Sequence, residues 1–296
     1  MSTPQIAVWG ASGVGKTVYL AGAMLALATF HPKWNWLMGG DGAERQRTFD
    51  FINFEIGKLQ GGKMAQPTME KEPERYLFQL EQRGDLLGRT GRYHEIALVD
   101  VAGVLIQDTT DRRRYFETLR NSQGILMLLD PNLKGVYQSP TPERSEITYF
   151  ALINLLIKHL QETHAKGARL EMPIAICLTK VDQENHWPYR NNPKEYLRET
   201  LGGATFNLLA NTFIKKEFFA VSTVGRYRNP IGGQETSNLD PRPDHNQLLN
   251  FKAWEPYHVL DPLFWMLDHF ERERDRRLPW WRRVIRRAVR EPNYTK

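Results

Sequence analysis

The chain has 296 residues, 41% hydrophobic and 25% charged, and a single cysteine, Cys177. That length suits one large domain or two small ones, the composition excludes whole-chain disorder, and one cysteine excludes an intramolecular disulfide and a cysteine-based metal site. The net charge of +6 is local: residues 271–296 carry ten basic against four acidic side chains while the first 270 balance at 30 against 30, which disfavours nucleic acid as a partner of the body.

Met1 leads through small and polar residues into Ile6-Ala7-Val8-Trp9, with neither a basic start nor an apolar signal core. The uncharged stretch Val18 to Phe30 has 13 residues, short of the roughly 20 a membrane span needs. A cytoplasmic location is expected.

Five short apolar runs read as strands buried on both faces: Gln5 to Trp9, Glu95 to Val99, Gly124 to Leu129, Ile174 to Leu178 and Phe218 to Val221. A sixth, Arg75 to Glu81, alternates apolar and polar residues as a half-exposed edge strand does. Between them, Thr17 to Thr29, Ala43 to Lys58, Arg113 to Asn121, Ser145 to Thr163 and Pro262 to Asp275 read as helices. Strand and helix alternate, which predicts a doubly wound, mostly parallel, six-stranded α/β fold. Gly225 to Asn250, rich in Pro, Gly, Asn and Asp, reads as a long surface loop.

Gly10-Ala11-Ser12-Gly13-Val14-Gly15-Lys16-Thr17 fits G-x-x-x-x-G-K-[ST], a P-loop, directly after a strand and before a helix. The glycines let backbone N–H groups turn around a phosphate at the positive end of the helix, Lys16 reaches the β- and γ-phosphates, and Thr17 binds Mg²⁺. Val18 follows within the same nucleotide-binding turn. After the strand Glu95 to Val99 comes Asp100-Val101-Ala102-Gly103, where Asp100 is placed to hold the metal's water and the Gly103 N–H to approach the γ-phosphate.

Thr179-Lys180-Val181-Asp182 ends the strand Ile174 to Leu178. A carboxylate there can accept from the two adjacent N–H groups on guanine's edge while the lysine stem lies across the base. Ser222 and Thr223, after the strand ending at Val221, are placed to contact the base oxygen.

This order of segments resembles the Ras-like GTPases of the translation-factor-related P-loop class, over roughly residues 5 to 275. In that family a threonine ahead of the second strand closes over the nucleotide, and Thr68 in Gln66-Pro67-Thr68-Met69-Glu70 matches it; the resemblance implies that its hydroxyl binds Mg²⁺ and its backbone the γ-phosphate. Lys16 and Asp100 lie 84 residues apart, a spacing that looks more like the larger bacterial Ras-like GTPases encoded with multi-protein conflict systems. Val104 stands where such enzymes carry the glutamine that orients the attacking water, so slow intrinsic hydrolysis is expected.

Trp280-Trp281-Arg282-Arg283-Val284-Ile285-Arg286-Arg287-Ala288-Val289-Arg290 alternates apolar and arginine pairs, which on a helix gives one apolar and one basic face. An anionic membrane surface at the inner face, a groove on a partner protein and the chain's own domain all stay open as its target. The expectation is a Ras-like GTPase domain over 1–277 with a basic amphipathic tail over 278–296, working as a GTP/GDP switch with Mg²⁺ and effector proteins. The alternatives are a non-catalytic GTP-loaded scaffold and a P-loop ATPase or kinase.

Overall fold

A computed structural model of the chain describes residues 3–11, 13–64, 74–82, 93–100, 116–132, 149–162, 169–230, 232–242 and 247–276. Seven strands form one sheet: β1 (Gln5–Trp9), β2 (Trp34–Met38), β3 (Glu74–Gln82), β4 (Tyr93–Asp100), β5 (Gly124–Leu129), β6 (Ile174–Leu178) and β7 (Lys216–Ala220). Their order is β2-β3-β4-β1-β5-β6-β7. From β4 through β1, β5 and β6 to β7 every pairing is parallel, and β3 and β2 are added antiparallel outside β4. The described helices are α1 (Lys16–Phe30), α2 (Gly42–Phe51), α3 (Gly57–Gln60), α4 (116–121), α5 (Tyr149–Gln161), α6 (Pro193–Thr212) and α7 (Asp261–Arg276).

Alternation along the central strands divides the core in two. Ile6, Val8, Leu126, Leu128, Ala175 and Cys177 pack on one side with α1 and α7, while Ala7, Trp9, Ile125, Met127, Leu129, Ile174, Ile176 and Leu178 pack on the other with α5 and α6. A strand whose side chains alternate between two covered faces must be apolar at every position, which is why β5 and β6 are unbroken apolar runs and wholly buried. Helix α1 is buried from Tyr19 to Leu27, as a helix apolar all round must be. The result is the doubly wound α/β fold that the alternation of elements predicts.

Three differences from the sequence reading have physical causes. The sheet has seven strands rather than six, because Trp34-Asn35-Trp36-Leu37-Met38 forms the edge strand and leaves β3 inside the sheet. That edge is pinned to α1 by the Trp36 indole N–H, which donates to the Met24 carbonyl at 2.7 Å. Helix α6 escapes the periodicity because Gly202 breaks it with φ 76°, ψ 154°, dividing it at a kink. The segment 225–250 is more than a surface loop: Arg226–Arg228 (β8) and Glu235–Ser237 (β9) pair as a hairpin, and Asn238 and Asp240 behind it are buried.

Helix α2 continues through a π-helical turn, Ile52–Ile56, into α3, matching the predicted helix Ala43 to Lys58. Among the described residues no helix is long and apolar enough to cross a membrane. The predicted basic tail, residues 278–296, lies outside the described residues.

Candidate functional site

The sheet reverses its winding at β1, which has β4 on one side and β5 on the other. In open α/β sheets ligands bind beyond the carboxyl ends of strands at such a point. The turn Gly10 to Gly15 leaves β1 there. Gly10 runs so close to β5 that a Cβ would lie 2.6 Å from the Leu128 carbonyl oxygen, while Gly13 (φ 76°) and Gly15 (φ 94°) adopt left-handed backbone with open space around them. Only glycine takes all three roles without strain. Gly15 is also the N-cap of α1; it supplies no side-chain cap, and no acidic residue stands in the first turn, which keeps the helix's positive end available to an external anion.

Lys16 is almost wholly buried, and its ammonium donates to the Gly10 and Ala11 carbonyls, both at 3.0 Å, so the cation lies across the loop that precedes it. Thr17 and Val18 follow in the first turn of α1, both half-buried. Asp100 ends β4 opposite Val8 of β1, placing its backbone beside the root of the loop. Ser12, Thr68, Gly103 and Val104 lie outside the described residues.

The second half of the site is built on the ends of β6 and β7. The Thr179 hydroxyl stands within hydrogen-bond distance of the Val14 carbonyl (3.3 Å) and the Leu129 carbonyl (3.2 Å), tying β6 to the loop. Lys180, held at φ 57°, sends its ammonium to the Gly13 carbonyl (3.0 Å) and to Asp130 Oδ2 (2.6 Å). Asp182 is buried at 2% exposure, and its Oδ1 accepts from the Ser222 hydroxyl at 2.6 Å. Two of the sequence-predicted base-contacting residues, Asp182 and Ser222, are thus brought together across 40 positions. Thr223 turns its methyl toward Gly22 of α1, and its carbonyl accepts from the Trp254 indole.

Behind Lys180 runs a polar chain that sequence reasoning missed. Asp130, 2% exposed, accepts the Asn132 N–H at Oδ1 (2.9 Å); Asn132 Oδ1 lies 2.9 Å from His186 Nε2, and His186 Nδ1 meets the Tyr196 hydroxyl. Since the Asn132 amide nitrogen donates to Gln183 (2.7 Å), its oxygen is the acceptor, and the neutral His186 ring carries its proton on Nε2. Burial pushes the His186 pKa below its ordinary 6.5, against the opposing pull of Asp130 and Asp182. One signal was available: Asp130 directly follows the unbroken apolar strand β5, much as Asp100 closes β4 after Ile96 to Val99. Arg226 is a further missed residue, donating from Nη1 to the Asp182 carbonyl at 2.5 Å.

No family model matches the chain, and no curated protein matches it. Among solved structures it is similar to the signal recognition particle receptor SRb-GTP/SRX complex from Chaetomium thermophilum, at 15% identity and TM-score 0.43 over 76% of this chain and 93% of that one. It is similar also to the GTP-bound S. cerevisiae Ski7 GTPase-like domain, at 13% identity and TM-score 0.38 over 89% of this chain and 50% of that one. A third is the bacterial selenocysteine-specific elongation factor EF-Sec, at 15% identity and TM-score 0.32 over 76% and 26% of the two chains.

Proposed function

We propose that the chain binds guanine nucleotide with Mg²⁺ and works as a GTP-dependent switch with slow intrinsic hydrolysis. The observation that carries this reading is Lys180: one ammonium joins the Gly13 carbonyl of the phosphate loop to a turn whose next but one residue is the buried Asp182 carboxylate. In this reading the loop after β1 would grip phosphate and Asp182 after β6 would accept guanine's paired N–H groups, the two tied together by Lys180. An ATPase or kinase has no use for that carboxylate, since adenine offers no matching pair of donors.

In this reading Lys16 exchanges its loop carbonyls for β- and γ-phosphate oxygens, and the open left-handed turns at Gly13 and Gly15 let backbone N–H groups face them. Thr17, Thr68 and Asp100 are the residues that would hold Mg²⁺, with Gly103 beside the γ-phosphate. Bound Mg²⁺ supplies electrostatic neutralisation of the phosphate oxygens. Val104 offers the attacking water neither donor nor acceptor, so turnover is expected to stay on the order of 10⁻⁴ s⁻¹ or lower. The basic tail, Trp280 to Arg290, is proposed to hold the switch at an anionic membrane surface, with effector proteins reading its nucleotide state.

The test is competition of GDP, ADP and XDP for the full chain with magnesium, before and after Asp182→Asn. GDP preferred over ADP in the wild type, and XDP gaining on GDP in the variant, support the reading. Equal binding of GDP and ADP, or an unshifted preference in the variant, refutes it.

A further inference from the structure

The hairpin β8–β9 reaches back to the carboxylate at the base site. Ser237, the last residue of β9, donates its hydroxyl to Asp182 Oδ2 at 2.5 Å, while Ser222 donates to Oδ1 at 2.6 Å. Each hydroxyl is already engaged as an acceptor, Ser222 Oγ from the Gly225 N–H at 2.9 Å and Ser237 Oγ from the Leu239 N–H at 3.2 Å. A hydroxyl has one proton, so both protons are committed to Asp182. Both contacts have the length of charge-assisted O–H···O⁻ bonds.

The hairpin is itself fixed to the domain. Arg226 of β8 pairs in register with Ser237, and its guanidinium, packed over the Trp187 ring at 5.1 Å, donates to the Asp182 carbonyl and to Glu184. Asn238, fully buried, donates its backbone N–H to the Gly225 carbonyl (3.0 Å) and its side-chain amide to the Asn250 carbonyl (3.0 Å). Gly225 also passes close against Glu255, which it can do because it has no Cβ: a methyl there would lie 1.9 Å from the Glu255 carbonyl oxygen.

We infer that Ser237 is a positioning residue for base selectivity: with Ser222 it holds the Asp182 carboxylate plane from both oxygens. The inference rests on the guanine reading above. The terminal torsion of aspartate is broad, so a single donor leaves the carboxylate free to swing, whereas donors on both oxygens fix its plane. Each carboxylate oxygen has two acceptor sites, and Ser222 and Ser237 take one on each, leaving one on each for guanine N1–H and the exocyclic amine. The segment 225–250 is in this view the second support of the base-reading residue.

The experiment measures GDP and IDP affinity of the full chain in the wild type and in Ser237→Thr, Ser237→Val and Ser237→Ala. IDP lacks the exocyclic amine, so the GDP-to-IDP ratio reports carboxylate placement rather than overall binding, and Thr and Val differ only in the hydroxyl. The expected result is that valine and alanine each cut the ratio by about tenfold, the scale of one hydrogen bond to a charged group, and that threonine retains it. A wild type that discriminates, with valine or alanine discriminating equally, overturns the role of Ser237 and leaves the guanine reading standing. Tighter binding of both nucleotides on loss of the hydroxyl overturns it too, since Ser237 would then be a competitor. A wild type that binds neither GDP nor IDP brings down the guanine reading, and this inference with it.

Discussion

Gly22 lies on α1, directly after the turn Gly10 to Gly15, and its replacement by alanine tests how that helix is fitted to the carboxyl end of β7. A Cβ there would meet the Thr223 Cγ2 methyl at 2.2 Å, with Thr223 Cβ and Oγ1 next at 3.4 and 3.7 Å. Alanine in a helix interior gains about 1 kcal/mol over glycine. The overlap is far inside van der Waals contact, and forcing a methyl into a packed site costs about 1–3 kcal/mol. Gly22→Ala is therefore expected to destabilise the chain by about 1 kcal/mol net, and to displace Ser222, the neighbour of Thr223, weakening GDP binding in parallel. Thr223→Ser removes the offending methyl and alone costs about 1 kcal/mol in lost burial.

Combined, the two substitutions exchange one methyl for another in the same space, because the remaining neighbours at 3.4 and 3.7 Å are at ordinary contact distance. With the overlap gone the helix gain remains, so the double variant should lie about 1 kcal/mol above wild type, whereas additivity puts it about 2 kcal/mol below. Urea denaturation of the four proteins, with GDP affinity measured alongside, gives the coupling energy. Additive losses, or a Gly22→Ala chain as stable as wild type, would refute the packing argument.

Lys16→Ala is expected to lower GDP affinity by at least about a hundredfold through loss of charge-assisted bonds to phosphate, with the circular dichroism spectrum retained; fluorescent-nucleotide titration measures it. Burial lowers the His186 pKa in the folded chain, so its contribution to stability is present above pH 6.5 and is lost as the pH falls through the folded value. Thermal melts from pH 7.5 to 5 should therefore show a smaller loss in His186→Gln than in wild type, and identical slopes would contradict it. Deleting 278–296 should abolish co-sedimentation with anionic vesicles and leave GDP affinity intact; unchanged co-sedimentation disposes of the membrane reading of the tail.

What the sequence disclosed is what backbone geometry forces on consecutive residues. Gly10, Gly13, Gly15 and Lys16 are legible because the close pass by Leu128, the two left-handed turns and the cation all fall within seven positions. The apolar runs of β1, β5 and β6 are legible because both faces of the sheet are covered. Edge strand β2 was missed because five residues with one polar position give little periodicity, and α6 because the Gly202-Gly203 pair interrupts its pattern. Ser237 and Asn132 carry no local signal. Their partners stand 55 and 54 positions away, Asp182 for one and His186 for the other, and only the folded sheet brings them together.

The backbone at Lys180 suggests why these distant partners matter. Outside glycine, left-handed φ costs on the order of 1 kcal/mol, and such residues persist where surroundings over-determine them. At φ 57° Lys180 is held from both ends: its ammonium is shared by Gly13 and the buried Asp130, and its turn is gripped at Asp182 by Ser222, Ser237 and Arg226. The buried Asp130 carboxylate is in turn held by Lys180 and the Asn132 N–H. The loop after β1, the turn after β6 and the hairpin are therefore one hydrogen-bonded body, and in the proposed reading a nucleotide touching any of the three would act on a site already set by the other two.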